Sequence, residues 1–142
     1  MIKSVFLAPA FFRDYLNCPE IEQKADRPYI LITVRLNGLL FGVPLRSNIS
    51  HGYALWTDKA NHCGVDFSKS VVILDEKRYI DNTRKPKIRP AEFNALRGKE
   101  HVLKQKLEKY IVEYKKAKRL PNIPRNKTLL QYSTLQYFEK YI

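Results

Sequence analysis

An Asn-Gly pair between two apolar arms constrains the fold of this chain more than any other feature of the sequence. The chain runs from residue 26 to residue 36, turns at Asn37 and Gly38, and returns through residues 39–45. A type I′ turn needs positive φ at both central residues, and Asn-Gly adopts such angles more readily than most pairs. The sequence therefore predicts a β-hairpin whose two open ends lie side by side.

The predicted hairpin brings polar side chains together where its two arms begin and end. Those side chains are Arg27, Tyr29, Arg46, Ser47, Asn48 and His51. Guanidinium groups bind phosphate oxygens through two parallel hydrogen bonds, and imidazole is the side chain whose ordinary pKa lies nearest neutrality. The cluster suits binding or cleavage of a phosphodiester, so we predict its members as catalytic residues. Ser47 and Asn48 are equally typical of a turn, and a single histidine often has a structural role.

The charge of the chain indicates a polyanionic partner. Lys and Arg number 26 against 14 Asp and Glu, which gives a formal net charge of +12. Nucleic acid is the leading partner for such a surface, and an anionic membrane is the weaker alternative. The predicted RNA-binding residues are Tyr53, Lys69, Arg84, Lys85, Lys87, Arg89, Lys104, Lys115, Lys116 and Lys118. Lysine-rich helix faces also serve solubility, so a solvated face is the alternative for the helical lysines.

The sequence carries no pattern for a cofactor or a metal. Cys18 and Cys63 form no CxxC pair, so we expect reduced thiols in a cytoplasmic protein. A zinc site needs more ligands than Cys63, His62 and His51 offer at these spacings. The five glycines are scattered and form no phosphate-binding loop. We therefore predict a protein without metal or cofactor. We also predict that it has no membrane partner.

The 142 residues are expected to form one domain over residues 1–142, because this length is enough for a single hydrophobic core. The fold class expected is α+β, a small antiparallel sheet with helices packed on it. Apolar periodicity and helix-breaking residues predict a strand at 2–7, a helix at 9–16, an irregular segment at 46–61, and a strand region at 64–74 with an extension at 77–80. They also predict a basic loop at 82–90, a helix at 91–118 that breaks at Gly98, and a last helix at 126–142.

Several short motifs occur in an order that resembles a known toxin family. They are Arg27-Pro28-Tyr29-Ile30, the Asn37-Gly38 turn, Pro44-Leu45-Arg46-Ser47, residues 64–73 and the lysine-rich C-terminal helix. Together they span most of the chain. In them the chain resembles the ToxN/AbiQ superfamily, the endoribonuclease toxins of type III toxin–antitoxin systems, and within it the TenpN branch. The resemblance implies a compact, twisted antiparallel sheet like that of MazF/Kid toxins, with surrounding helices.

The resemblance also implies an activity and a partner. Members cleave RNA without metal and leave a 2′,3′-cyclic phosphate and a 5′-hydroxyl. A small repetitive RNA antitoxin, processed into pseudoknots, inhibits the toxin within a closed protein–RNA assembly. The substrates expected are cellular or phage RNA, and the expected role is phage defence in the cytoplasm.

The resemblance transfers to individual positions with some departures. The family's lysine before the first hairpin strand falls on Arg27, and its Thr-Ser pair falls on Arg46 and Ser47, so the serine is kept and the threonine is replaced by arginine. A second family lysine falls on Ile49, so that cation is missing here, and Arg46, Lys69 or His51 would supply the charge. The alternative function is a non-catalytic RNA-binding regulator. A DNA-binding regulator ranks below both, because no helix-turn-helix pattern stands out.

Overall fold

A computed structural model of the chain describes residues 2–21 and 29–142. It shows an antiparallel sheet of six strands with helices packed against it, which confirms the predicted α+β class. The strands are β1 (Lys3–Val5), β2 (Leu31–Leu36), β3 (Leu39–Arg46), β4 (Ala54–Asp58), β5 (Cys63–Asp66) and β6 (Val71–Val72). Their order across the sheet is β1-β2-β3-β5-β4, and β6 pairs separately with β3.

The predicted hairpin is confirmed between β2 and β3. Asn37 and Gly38 have φ angles of 53° and 79°, as a type I′ turn requires. β2 pairs along its whole length with residues 39–44 of β3, and Leu31 lies opposite Pro44 near the open end. Residues 26–28 of the predicted first arm lie outside the described residues.

The long strand β3 changes partner along one of its sides. Phe41 and Gly42 pair with β6, whereas Leu45 and Arg46 pair with β5. Between β5 and β6 the chain leaves the sheet in a 3-10 turn at Phe67–Lys69. This turn contacts β3, so it lies beside the strand at the end where the hairpin opens.

The long helix packs the apolar stripe that its sequence predicts. The helices are α1 (Pro9–Asp14), α2 (Glu76–Tyr79), α3 (Pro90–Leu96), α4 (Glu100–Arg119) and α5 (Pro124–Tyr132). Leu103, Leu107 and Tyr114 of α4 are buried, and the helix contacts both β2 and α5. The break at Gly98, where φ is 73°, separates α3 from α4 as predicted. Over residues 2–21 and 29–142, no helix combines the length and the apolar character needed to cross a bilayer.

Two strand predictions were wrong in part. The segment 46–61, predicted as irregular, contains β4. Ala54, Leu55 and Trp56 are apolar in succession, so the sequence of β4 does not alternate, and the strand is held by pairing with β5 and by contacts with α3 and α4. The strand region predicted at 64–74 is divided into β5 and β6 by the 3-10 turn, because the Asp66 carboxylate accepts the backbone N–H of Ser68 and caps that turn.

Two further predictions were wrong near the helices. Residues 77–80, predicted to extend a strand, belong mostly to α2, which begins where the Asp75 carboxylate accepts the N–H of Arg78. The helix predicted at 126–142 ends at Tyr132 in α5, because Ser133 is extended, with ψ of 131°. Short 3-10 helices at Thr134–Tyr137 and Glu139–Tyr141 follow.

β4 and β5 approach each other closely at Gly64 of β5, and a substitution there tests this close approach. A Cβ atom at this position would lie 2.4 Å from the Leu55 carbonyl oxygen and 3.0 Å from the Trp56 Cα. Backbone atoms cannot move aside cheaply, so we expect Gly64→Ala to lower the free energy of unfolding by about 2 kcal/mol, measured by urea denaturation. Gly52→Ala is the control, because a Cβ there meets nothing within 4 Å. Equal stability of the two variants would contradict the close approach.

Candidate functional site

A buried carboxylate lies at the centre of the polar cluster. Asp66, at the end of β5, is fully buried. Its Oδ2 accepts a hydrogen bond from Nη1 of Arg46 at 2.7 Å, and its Oδ1 accepts the Ser68 hydroxyl at 2.6 Å and the Ser68 backbone N–H at 2.9 Å. The pairing of β3 with β5 and the turn after β5 bring these groups together.

The bonds to Asp66 keep it ionised. Burial by itself raises the pKa of this carboxyl, but hydrogen bonds from His51, Ser68 and Arg46 outweigh burial. The net result is a pKa below the ordinary value of 3.8. Asp66 is therefore a fixed negative charge at neutral pH, and it holds the Arg46 guanidinium in place.

Both ring nitrogens of His51 are engaged within the protein. Nδ1 accepts the backbone N–H of Tyr53 at 3.0 Å. Nε2 lies 3.0 Å from the Ser68 hydroxyl oxygen and 3.2 Å from Oδ1 of Asp66. Because Nδ1 accepts a hydrogen bond, the proton of the neutral ring is on Nε2, where it faces two oxygen acceptors. His51 is thus oriented by the same carboxylate as Arg46.

The arrangement of Ser68, His51 and Asp66 is different from that of a serine hydrolase. In a Ser–His–Asp triad the serine and the carboxylate contact opposite nitrogens of the imidazole. Here both lie beside Nε2, and the Ser68 hydroxyl donates its proton to Asp66. The geometry does not activate Ser68 as a nucleophile, so its role is to position the other two groups.

Arg46 and His51 line an open cleft between the sheet and α5, here called the arginine cleft. It has a volume of about 540 Å³. Three cations (Arg46, Lys69 and Arg125) and three rings (His51, Tyr53 and Tyr132) line it, together with smaller polar groups. The ammonium group of Lys69 donates to the backbone carbonyl of Tyr132 at 3.0 Å, which ties the turn after β5 to the end of α5. The cleft is suited to an anion attached to a planar ring.

A second cleft, here called the lysine cleft, lies on the other side of His51 and Tyr53. It also has a volume of about 540 Å³, and Lys106, Lys109 and Tyr110 of α4 line its far wall. The ring of Tyr53 packs edge-on against Tyr110, with 5.3 Å between centroids. Tyr110 donates its hydroxyl to the Ser133 Oγ, and burial raises its pKa, so Tyr110 is a neutral packing residue.

The structure brings together some of the predicted catalytic residues and separates others. Arg46 and His51 meet at Asp66, and the Arg46 guanidinium lies 5.9 Å from the centroid of the Tyr29 ring. Tyr29 lines a smaller apolar pocket beside the arginine cleft. Ser47 and Asn48 are exposed in the turn after β3, where Asn48 has a φ of 56°. Arg27 lies outside the described residues.

Of the predicted RNA-binding residues, Tyr53 and Lys69 line the clefts, and the other eight are exposed on the surface away from them. Arg84 pairs with Asp81 at 3.0 Å, and Arg89 pairs with Glu92 at 2.6 Å. The remaining predicted residues are Lys85, Lys87, Lys104, Lys115, Lys116 and Lys118, and Lys118 pairs with Glu139 at 3.0 Å. A basic surface therefore extends well beyond the two clefts.

Sequence reasoning missed several residues of the site. They are Asp66, Ser68, Lys106, Lys109, Arg125 and Tyr132. One signal was available: Asp66 and Ser68 are spaced as in an Asx turn, directly after an apolar strand. The residues from α4 and α5 have no such signal, because only the packing of these helices brings them to the clefts.

Comparison of the chain with protein-family models, with curated proteins and with solved structures gives no match. Within residues 2–21 and 29–142, no three side chains of His, Cys, Asp or Glu come together as a metal site. The chemistry of the site is therefore interpreted from its own geometry.

The substitution Asp66→Asn tests the central carboxylate, because it keeps the shape of the side chain and removes its charge. We expect a loss of about 2 kcal/mol in the free energy of unfolding at pH 7, since Arg46 and His51 lose their ionic acceptor. The pKa of Asp66 is lowered in the fold, so its contribution is complete above the ordinary value of 3.8 and disappears as the pH falls through the folded pKa.

The stability difference between wild type and Asp66→Asn should accordingly shrink below pH 3.8 in urea titrations. Glu108→Gln, at an exposed position of α4, is the control and should change stability by less than about 0.5 kcal/mol. A difference that stays constant from neutral pH into strong acid would contradict the role given to Asp66.

Proposed function

We propose that this protein is a metal-independent endoribonuclease. The observation that carries the proposal is that one buried carboxylate, Asp66, orients both a guanidinium (Arg46) and an imidazole (His51) in a cationic cleft. RNA carries its own nucleophile, the 2′-hydroxyl. A site for its cleavage needs positive charge for the phosphorane-like transition state and a group that exchanges protons.

Arg46 supplies the positive charge in this proposal. Asp66 binds Nη1 of Arg46, which fixes the plane of the guanidinium and directs its remaining edge. Lys69 and Arg125 line the same cleft and add to the field around a bound phosphate. A preoriented guanidinium is effective because it needs no reorganisation as charge develops on the non-bridging oxygens.

His51 accepts the proton of the 2′-hydroxyl. Nδ1 takes that proton after releasing the N–H of Tyr53, and Asp66 beside Nε2 stabilises the imidazolium. The bond between the 2′-oxygen and phosphorus forms as the bond between phosphorus and the 5′-oxygen breaks. A water molecule protonates the leaving 5′-oxygen, and the hydroxide that remains takes the proton back from Nδ1 of His51. The products carry a 2′,3′-cyclic phosphate and a 5′-hydroxyl. Arg27, Tyr29, Ser47 and Asn48 are proposed contacts of the RNA around this centre.

The resemblance to the type III toxins supports a wider biological proposal. The protein is then a cytoplasmic toxin with a MazF/Kid-like twisted sheet, active on cellular or phage RNA. Its inhibitor is a small repetitive RNA that the protein cuts into pseudoknots and holds in a closed protein–RNA assembly. The exposed cations of α4 and of residues 82–90 provide the surface for that RNA.

A second candidate function is RNA binding without cleavage, in a regulator. The specific observation in its favour is that both nitrogens of His51 already have partners within the protein. In this second candidate His51 shapes the cleft and exchanges no proton. The two candidates share the same cationic surface and differ in whether the RNA is cut.

Cleavage of RNA in excess EDTA distinguishes the two candidates. We expect cuts at defined positions with 2′,3′-cyclic phosphate and 5′-hydroxyl ends, and no cut where a 2′-deoxynucleotide replaces the nucleotide that supplies the nucleophile. His51→Gln should lower the cleavage rate by about a hundredfold or more while RNA binding is retained. Arg46→Lys should lower the rate as well, because lysine keeps the charge but not the planar fork.

Lys77→Ala, on the exposed surface of α2, is the control and should cleave like the wild type. Binding with steep salt dependence and no cleavage would support the regulator instead. Products with 5′-phosphates would contradict the proposed mechanism.

The proposed antitoxin is tested by sequencing the RNA that co-purifies with the protein. We expect a uniform short RNA whose ends match the cleavage specificity, because the toxin itself produces those ends. RNA purified with Asp66→Asn should be less uniform, since this variant lacks the oriented Arg46 and His51. Heterogeneous RNA from the wild-type protein would contradict the antitoxin proposal and leave the nuclease proposal standing.

A further inference from the structure

The two clefts meet at a ridge formed by His51 and Tyr53, and both residues line both clefts. We propose that a single RNA strand crosses this ridge, with one nucleotide in each cleft. The lysine cleft is then a second nucleotide subsite, next to the one where the scissile phosphate binds. This inference rests on the proposed function, because it names the conformation of the RNA and its path through the same site.

The sizes of the clefts support one nucleotide in each. Both volumes are about 540 Å³, inside the range of roughly 300–1,000 Å³ that is typical of small-molecule sites. An A-form duplex shows its bases poorly, whereas a single strand can place successive bases in separate clefts. Two equal clefts on either side of a narrow ridge therefore fit an unpaired strand better than a helix.

The ridge is rigid enough to divide the strand. The rings of His51 and Tyr53 are 5.4 Å apart, and Tyr53 is also packed against Tyr110 of α4. In the resting site the backbone N–H of Tyr53 also donates to Nδ1 of His51. A fixed aromatic wall shared by two clefts offers a stacking surface on each side, as in proteins that bind single-stranded nucleic acid.

The charges of the lysine cleft match a phosphate with its attached base. Lys106 and Lys109 are three residues apart on α4, so they lie on one face of the helix and both reach this cleft. Glu113 also lines it, and its carboxylate is an acceptor for the amino groups of a base. Two cations with one acceptor suit a nucleotide, whereas a cleft for phosphate alone would have no use for the carboxylate.

The wall of the arginine cleft opposite the ridge completes the first subsite. Tyr132 of α5 is 55% exposed although its backbone carbonyl is anchored by Lys69, and Arg125 lies two turns earlier on the same face of α5. An exposed tyrosine in a cleft that also holds guanidinium groups offers a stacking surface for a base. The strand thus has a base-binding surface at each end of its path across the ridge.

Binding of short oligonucleotides that cannot be cleaved tests the second subsite. The probes are a 2′-deoxy-substituted trinucleotide and a nucleoside 3′-monophosphate, with binding followed by fluorescence anisotropy and calorimetry. We expect Lys106→Ala/Lys109→Ala to weaken trinucleotide binding about tenfold and to reduce the salt dependence by about one unit of slope. Binding of the mononucleotide, which fills the arginine cleft alone, should change by less than about twofold, because its contacts are intact.

Lys77→Ala/Lys127→Ala removes two exposed lysines from α2 and α5 and is the matched control. It should bind both probes like the wild type. The second subsite is overturned if the cleft variant and the control bind the trinucleotide equally, even when the protein cleaves RNA. Conversely, a selective loss of trinucleotide binding in a protein that never cuts RNA supports the strand path and rejects the nuclease proposal. The substituted lysines are all exposed, so we expect the variants to fold like the wild type. Circular dichroism checks this expectation.

Discussion

The rest of the site depends on the buried carboxylate of Asp66. An isolated charge in a protein interior is very costly, so the fold must surround it with donors. Those donors come from the end of β3, from the turn after β5 and from the bend before β4, and they include Arg46, Ser68 and His51. The hydrogen bonds that make burial of this charge tolerable also set the positions of the guanidinium and imidazole groups. The bonds that stabilise the buried charge are therefore the same bonds that fix the geometry of the site.

The end of α5 is held to the site by a second set of bonds. Thr134 donates its hydroxyl to the backbone carbonyls of Ser68 and Ser70, and Lys69 donates to the carbonyl of Tyr132. Thr134 is buried, so these bonds are shielded from water and count for more than surface contacts. The C-terminal region thereby forms one wall of the arginine cleft. Its position is tied to the turn that Asp66 caps.

Features with a local signal were predictable from the sequence. The hairpin followed from Asn37 and Gly38, whose backbone angles are intrinsic, and the buried stripe of α4 followed from its helical spacing. β4 was missed because its sequence does not alternate and tertiary contacts, with β5, α3 and α4, hold it. At the site, Arg46 and His51 were predicted from their chemistry. Asp66 was missed because a single acidic residue in a strand can be recognised as the centre of a site only from the distant segments that contact it. These contacts are tertiary, and no window of sequence contains them.

The turn at Asn37 and Gly38 is exposed and lies at the opposite end of β3 from Arg46. β3 spans Leu39–Arg46, and at a rise of about 3.3 Å per residue this separates the turn from the cleft by about 23 Å. The turn is thus a natural attachment point for a fluorophore or a surface tether. Molecules immobilised there would all present their clefts outward, which makes single-molecule observation of RNA capture practical with this protein.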